Sequence, residues 1–456
     1  LRRILSAAAI VTLLASAGAR ADDWPQWMGP ERDGIWREGG LIDRFPQKGA
    51  NIRWRAPIGS GYSGPAVVGN RVYVMDRQKR TIPPAAQTTA PAAKSPTSKN
   101  AGKSLPGNER VLCLDAADGT VVWKYEYDRP YTISYSNGPR CTPLVRDGRL
   151  YTLGAMGDLT VFDAADGHVR WTKNLSREFQ VKVPIWGFAA HPLLEGDLLY
   201  SLVGGRGTAV VALNKDTGAL VWKALDTQET GYSPPMLYEF GGKKQLIVWL
   251  SEAIYGLDPA SGKQLWKHPY PEDVPMQRPA VNIVTAKKVD DLLFISTVYH
   301  GPMMLKVEAD KATMVWRGKS ENPGKPDGAH CLMASPVFKD GYGYGVGMMG
   351  DLHCFRAKTG ENLWETFAAV TGHRADCGTV FVVPQHNRYV LFNDQGDLIL
   401  ADLTPQGYHE ISRAHVLEPV ALARGRNIVW SHPAFAHGCV FARNEKEMVC
   451  VSLVKS

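Results

Sequence analysis

The side chains able to bind or react are concentrated in short irregular segments of this chain. "DRPYTISYSNGPR" carries Tyr131, Tyr135 and Arg140, and "VKVPIWGFAAH" carries Trp186 and His191. "TGYSPP" adds Tyr232, "MQRP" adds Arg278, and "GKPDGAHC" adds His330. "TGHRADC" adds His373 and Arg374, and "WSHP" adds His432. Stacking rings, imidazoles and guanidiniums in one place suit a small anion, a sugar or a peptide.

Motifs for bond-making chemistry are missing from the same sequence. "GSGYSG" (59–64) lacks the G-x-S-x-G spacing of a nucleophile elbow. "VGGRGTAV" (203–210) is glycine-rich, but no helix follows, so it reads as a hairpin turn rather than a phosphate loop. There is no H-E-x-x-H, and none of the seven cysteines forms C-x-x-C. "NDQGD" (393–397) has the oxygens of a calcium loop. Yet Asp158, Asp351 and Asp397 recur in register as "GDL", and a residue that recurs in register serves the repeat. No metal site is expected.

The repeat supplies the framework that must hold these segments. "LDAADGTVVW", "FDAADGHVRW", "LNKDTGALVW", "LDPASGKQLW" and "FRAKTGENLW" are copies of one phrase. Each reads as a β-hairpin, with Gly119, Gly167, Gly218, Gly262 or Gly360 at a turn position needing positive φ. Tryptophans stand at 54, 123, 171, 222, 266, 316 and 364, and from Trp123 onward they recur every 44 to 51 residues. That period fits a four-stranded propeller blade, with two further strands upstream of each hairpin. Each Trp54, Trp123, Trp171, Trp222, Trp266, Trp316 and Trp364 is expected to plug a seam between blades. Burial of such a ring is worth roughly 1.5–3 kcal/mol or more.

Six blades end in Trp123 to Trp364. A seventh runs from about Gly378 to "YHEISRAHVL" without the Trp. The eighth, near the C-terminus, has only three strands. The strand around Trp54 is expected to complete it beside Cys450, closing the ring and removing two sheet edges. The expected fold is therefore an all-β, eight-bladed propeller.

The N-terminus carries Arg2 and Arg3, the apolar run "ILSAAAIVTLLASAG", and the small-residue site "ARA" at 19–21. Those are the parts of a secretory leader cleaved near Ala21, which implies a periplasmic or secreted protein. The expected organisation is leader 1–21, N-terminal extension 22–50 and propeller 51–456. A Pro-, Ala- and Thr-rich insertion is expected at 77–109 in the first blade. No other run is long enough to cross a membrane. The formal charge is +7, but Arg2, Arg3, Arg20, Arg77, Lys79, Arg80, Lys94, Lys99 and Lys103 lie in the leader or insertion. No basic face for nucleic acid is left. Cys113, Cys354 and Cys450 read as core thiols, while Cys331 and Cys377 leave a disulfide open.

The A-x-D-x-x-T-G-x-x-x-W phrase is similar to the tryptophan-docking motif of the pyrroloquinoline quinone (PQQ)-like propeller superfamily. The opening "WPQWMGPERDGIW" (24–36) resembles exported members found in planctomycete-type bacteria. The resemblance covers nearly the whole chain after the leader and implies the propeller fold. For function it implies two branches: quinone-dependent dehydrogenases, and non-catalytic scaffolds such as the propeller subunit of the outer-membrane protein assembly machinery. The dehydrogenase branch uses adjacent cysteines, a calcium-binding carboxylate and amide set, and an Asp base. This sequence has no Cys-Cys pair, and neither the calcium set nor the base can be placed in it. The expectation is a monomeric binding or scaffold protein without cofactor, taking a protein, peptide or carbohydrate on its loop face. A PQQ- and calcium-dependent alcohol or sugar dehydrogenase is the alternative, with Trp186 as a stacking surface.

Overall fold

The computed structural model describes residues 22–80, 104–271, 278–320, 322 and 325–455. The expected leader (1–21) and most of the Pro-rich insertion (81–103) lie outside the described residues.

Eight four-stranded antiparallel sheets follow one another along the chain. The second is representative, built from Leu144–Arg146, Arg149–Leu153, Asp158–Asp163 and Val169–Asn174. Its middle strands are buried on both faces rather than alternately, because each blade packs against two neighbours. First strands of adjacent blades touch, so they line the axis: residues 66–68 meet both 144–146 and 434–436. Fourth strands form the rim, where Val121–Asp128 is exposed at alternate positions. Asn51–Pro57 pairs with Glu447–Ser452, placing Trp54 opposite Cys450 and closing the ring as expected.

Every fourth strand bulges one residue before the tryptophan position. Val122, Arg170, Val221, Leu265, Val315 and Leu363 are bulged in six blades, and Arg53 precedes Trp54 in the closing one. A bulge re-aims the next side chain. Here it turns the indole onto the following blade. Trp54, Trp123, Trp171, Trp222 and Trp316 cover Gly119, Gly167, Gly218, Gly262 and Gly360, and a Cβ there would fall 2.5–2.8 Å from the indole Cε3. The indole N–H of each donates to a carbonyl of that same turn, at 2.9–3.1 Å.

Trp266 departs from this plan. The next blade turns through "EADK" without glycine, and Trp266 Nε1 donates instead to Gln245 Oε1 at 2.6 Å. Gln245 Nε2 then reaches Glu308 O at 2.8 Å, relaying the bond across the seam. In the seventh blade Ser412 stands at the tryptophan position, and its Oγ accepts the N–H of the buried Phe45.

One expectation is corrected, and one question left open by the sequence is closed. The insertion is narrower than 77–109, because Arg77–Lys79 pairs with Gly107–Glu109 and continues the hairpin. Arg77 and Glu109 are buried there because they satisfy each other's surroundings: Arg77 lies 4.5 Å over the Tyr131 ring, and Glu109 accepts the hydroxyls of Tyr127 and Tyr131. All seven cysteines are buried free thiols, so Cys331 and Cys377 are not bridged. Nor was the short hairpin Ala421–Ala423/Arg426–Ile428 foreseen; it stands between the seventh and eighth blades and belongs to neither.

Residues 22–40 form a strap across one end of the ring. Trp24 bridges Val67 of the first blade, and Pro25 O accepts Val145 N–H of the second. Arg32 donates to Pro192 O and Pro235 O of the third and fourth, and Lys287 Nζ of the fifth donates to Asp33 O. Trp36 N–H reaches Pro384 O of the seventh, and Glu38 accepts His437 and Gly438 N–H of the eighth. Asp23 and Glu38 thus meet turns between first and second strands, at Gly69, His386 and His437. The irregular segments ahead of the first strands open at the opposite end.

Candidate functional site

Those segments converge on an axial cavity of about 300 Å³. Eight aromatic side chains line it: Trp27, Tyr62, Tyr135, Trp186, Tyr232, Tyr299, Phe381 and Trp430. Trp27 comes from the strap and forms the floor, stacked 4.0 Å over His191 with a 10° interplanar angle. Its indole N–H donates to Thr285 Oγ1 at 3.2 Å. The wall continues through Trp186, 5.1 Å from Tyr232 and 6.4 Å from Tyr135, and through Trp430, 5.4 Å from Tyr135.

Two imidazoles and two guanidiniums supply the polarity. His191 Nδ1 accepts Thr142 N–H at 2.9 Å, leaving the proton on Nε2, and burial holds its pKa well below the usual value. His432 shares Pro433 O at 2.6 Å, and desolvation pulls its pKa to about 4. Both rings are neutral at pH 7. Arg140 lies 5.3 Å over the Tyr62 ring and donates to Ser134 O, Ser136 O and Gly138 O, which fixes the loop carrying Tyr135. Arg424 projects from the unforeseen hairpin, its Nε 3.7 Å from Asp376. None of the lining side chains is a carboxylate or an amide.

A pH dependence follows from the depressed histidine. The neutral form of His432 is favoured in the fold, so its stabilisation is present above the unfolded value near 6.5. It is lost as pH falls toward about 4. Chemical denaturation between pH 7 and 4 should show a falling midpoint, and His432→Phe should flatten that fall.

Of the sequence candidates, the fold brings Tyr135, Arg140, Trp186, His191, Tyr232 and His432 together at the cavity. The other five stand elsewhere. Tyr131 is turned inward, its hydroxyl on Glu109 Oε1 at 2.6 Å. Arg278 is exposed and pairs with Glu229 at 3.6 Å. His330 is fully buried between Val298 O and Asp327. His373 edges a separate open depression with Asp397, Glu410 and Arg413, and Arg374 is exposed beside it. Asp397 there is paired with Arg413 and His415. Sequence reading passed over Trp27, Tyr62, Tyr299, Phe381, Trp430 and Arg424. Trp430 sits two residues before His432 in "WSHP", so that phrase held the signal. Trp27 and Arg424 lie outside the repeat and carried none.

Calcium takes six to eight oxygen ligands, chiefly carboxylates and carbonyls. A lining without carboxylate or amide, and with two arginines, does not fit a calcium-bound quinone. Among the described residues, no group of three or more His, Cys, Asp or Glu is placed to hold a metal. No described helix is long and apolar enough to cross a membrane.

A closed ring of eight four-stranded sheets with a site on its axis defines a β-propeller. The family model described as outer membrane protein assembly factor BamB matches residues 107–333. A quinoprotein ethanol dehydrogenase of Pseudomonas putida is 25% identical over 166 residues, 34% of this chain and 26% of that one. BamB of Salmonella typhimurium is 25% identical over 151 residues, 32% of this chain and 35% of that one. The chain thus matches about a quarter to a third of the length of these relatives. A europium-containing methanol dehydrogenase shares the fold, with TM-score 0.57, 12% identity, and coverage of 94% of this chain and 89% of that one. The family model and these relatives support a likeness to the PQQ-like β-propeller family.

Proposed function

We propose that the protein is an exported, non-catalytic binding propeller whose axial cavity takes a small, flat, negatively charged aromatic ligand. The carrying observation is the composition of the lining: eight rings and two guanidiniums with no carboxylate. Rings offer apolar faces at centroid spacings of 4–6 Å, suited to offset or edge contacts. Arginine stacks on such faces and pairs with carboxylates bidentately. An arginine-lined, carboxylate-free cavity disfavours a cation, and too few polar groups are present to replace the hydration of a sugar. The relatives' names point both to dehydrogenases and to an assembly factor. The donor set favours binding over quinone chemistry.

Titration of tryptophan fluorescence with naphthalene-2-carboxylate, its amide and naphthylmethylammonium tests this reading. The carboxylate should bind at least tenfold more tightly than the amide, and the ammonium least. Arg424→Gln should erase the preference for charge, and Trp186→Ala should weaken both neutral and charged probes. Arg278→Ala and His373→Ala should leave binding unchanged. Equal binding of all three probes would refute the proposal. Calcium-dependent uptake of PQQ with turnover of an alcohol would instead establish the dehydrogenase.

A further inference from the structure

Glu38 is a buried carboxylate, 7% exposed, and among the described residues no side-chain cation pairs with it. Its oxygens accept three backbone N–H groups: Asp22 at 2.7 Å, His437 at 2.7 Å, and Gly438. A buried anion with only amide donors lacks the counter-charge such groups ordinarily have. One of those donors is the backbone nitrogen of Asp22, the residue directly after the small-residue "ARA" site. We propose that Glu38 is the receptor for the new α-ammonium group at Asp22, formed when an endopeptidase cuts between Ala21 and Asp22. This rests on the export reading for the cut, but not on the ligand reading for the cavity. In the cut, water adds across the peptide bond: the hydroxyl goes to the Ala21 carbonyl carbon and a proton to the Asp22 nitrogen. That amine takes up a second proton at neutral pH.

The consequence is a strap locked by processing. The Asp22–Glu38 contact clamps residues 22 and 38 together, and between them lie Trp24, Trp27, Arg32 and Trp36. Glu38 also bonds the eighth blade, so the ion pair ties the start of the strap to the closing sheet. The charged groups around it are Asp23 paired with His437 at 3.2 Å, His386 on Glu38 O at 3.0 Å, and Arg37 paired with Asp33.

The full chain, expressed with its N-terminus intact in an exporting bacterium and purified, should give an intact mass that begins at Asp22. The α-amine, followed by competitive acylation against pH, should titrate at least one unit above the ordinary range of about 7.7–8.0, and acylate at least tenfold more slowly than a peptide amine at pH 8. Since the folded value is raised, the stabilisation is complete below about pH 8 and is lost as pH rises through the folded pKa. Glu38→Gln should return the titration to the ordinary range. Should that variant fail to fold, the wild-type titration alone decides. An α-amine titrating at its ordinary value would overturn the ion pair. A different N-terminal residue would overturn the cut, while leaving the ion pair testable on a chain made to begin at Asp22.

Discussion

Trp222→Ala should lower the free energy of unfolding by about 3–5 kcal/mol, the usual range for removing a buried aromatic ring. Trp222 is 9% exposed and covers Gly262 of the next blade. Its N–H donates to Pro259 O at 3.1 Å, and its ring lies 5.7 Å from Tyr200. Truncation would open a void between two sheets and leave Pro259 O with the Tyr200 hydroxyl, at 3.0 Å, as its remaining donor at the seam. Neighbouring strands cannot close the gap, because the ring fixes the spacing of all blades at once. Trp364, which is less buried, should cost less when truncated. Urea denaturation of both variants measures the difference. A loss below 1 kcal/mol at Trp222 would show that the seam tolerates a cavity.

Asp76→Asn should have a comparable effect, about 3–5 kcal/mol, as when one member of a buried ion pair is removed. Asp76 is fully buried and takes Arg110 Nε at 2.8 Å and Nη2 at 2.5 Å, with Gly59 N–H at 2.5 Å. Arg443 of the closing blade, also fully buried, donates to Met75 O, Gly59 O and Asn444 O. Burial lowers its pKa to about 10, and Asp76 is the leading charge that opposes the shift. Without that charge Arg110 would lose its carboxylate partner and Arg443 the leading charge that offsets its burial, at the junction of the first and last blades. Arg443→Met should therefore cost less in the Asp76→Asn background than in the native chain. Additive losses would show that the two residues act separately.

The blade count and the ring closure were legible because they depend on short-range chemistry repeated many times. A turn glycine followed by Trp marks five of the hairpins, and an eighth blade short of a strand has one obvious donor around Trp54. The bulge before each Trp was not legible, since Val122, Arg170 and Leu265 share no residue type. The exception at Trp266 was visible only as a missing glycine; the relay through Gln245 needed coordinates. At the site, loops ahead of the first strands were found because they break the repeat. Which side chains turn inward was not legible. Tyr131 and Tyr135 are four residues apart in one loop, yet one meets Glu109 inside the fold and the other meets Trp186 in the cavity. Trp27 was missed because a strap joins the axis through contacts spread over seven blades, with no local pattern to announce it.

The strand pairing that closes the ring also sets a timetable. Asn51–Pro57 finds its partner in Glu447–Ser452, about 400 residues later. At a synthesis rate of roughly 5–20 residues per second, the early strand waits about 20–80 s for that partner. Contacts of such long sequence separation form slowly, because the loop between them must first be closed. Throughout that interval the strand is a bare edge able to pair with any other chain. A newly made molecule therefore depends on whatever shields residues 51–57 until its last blade emerges.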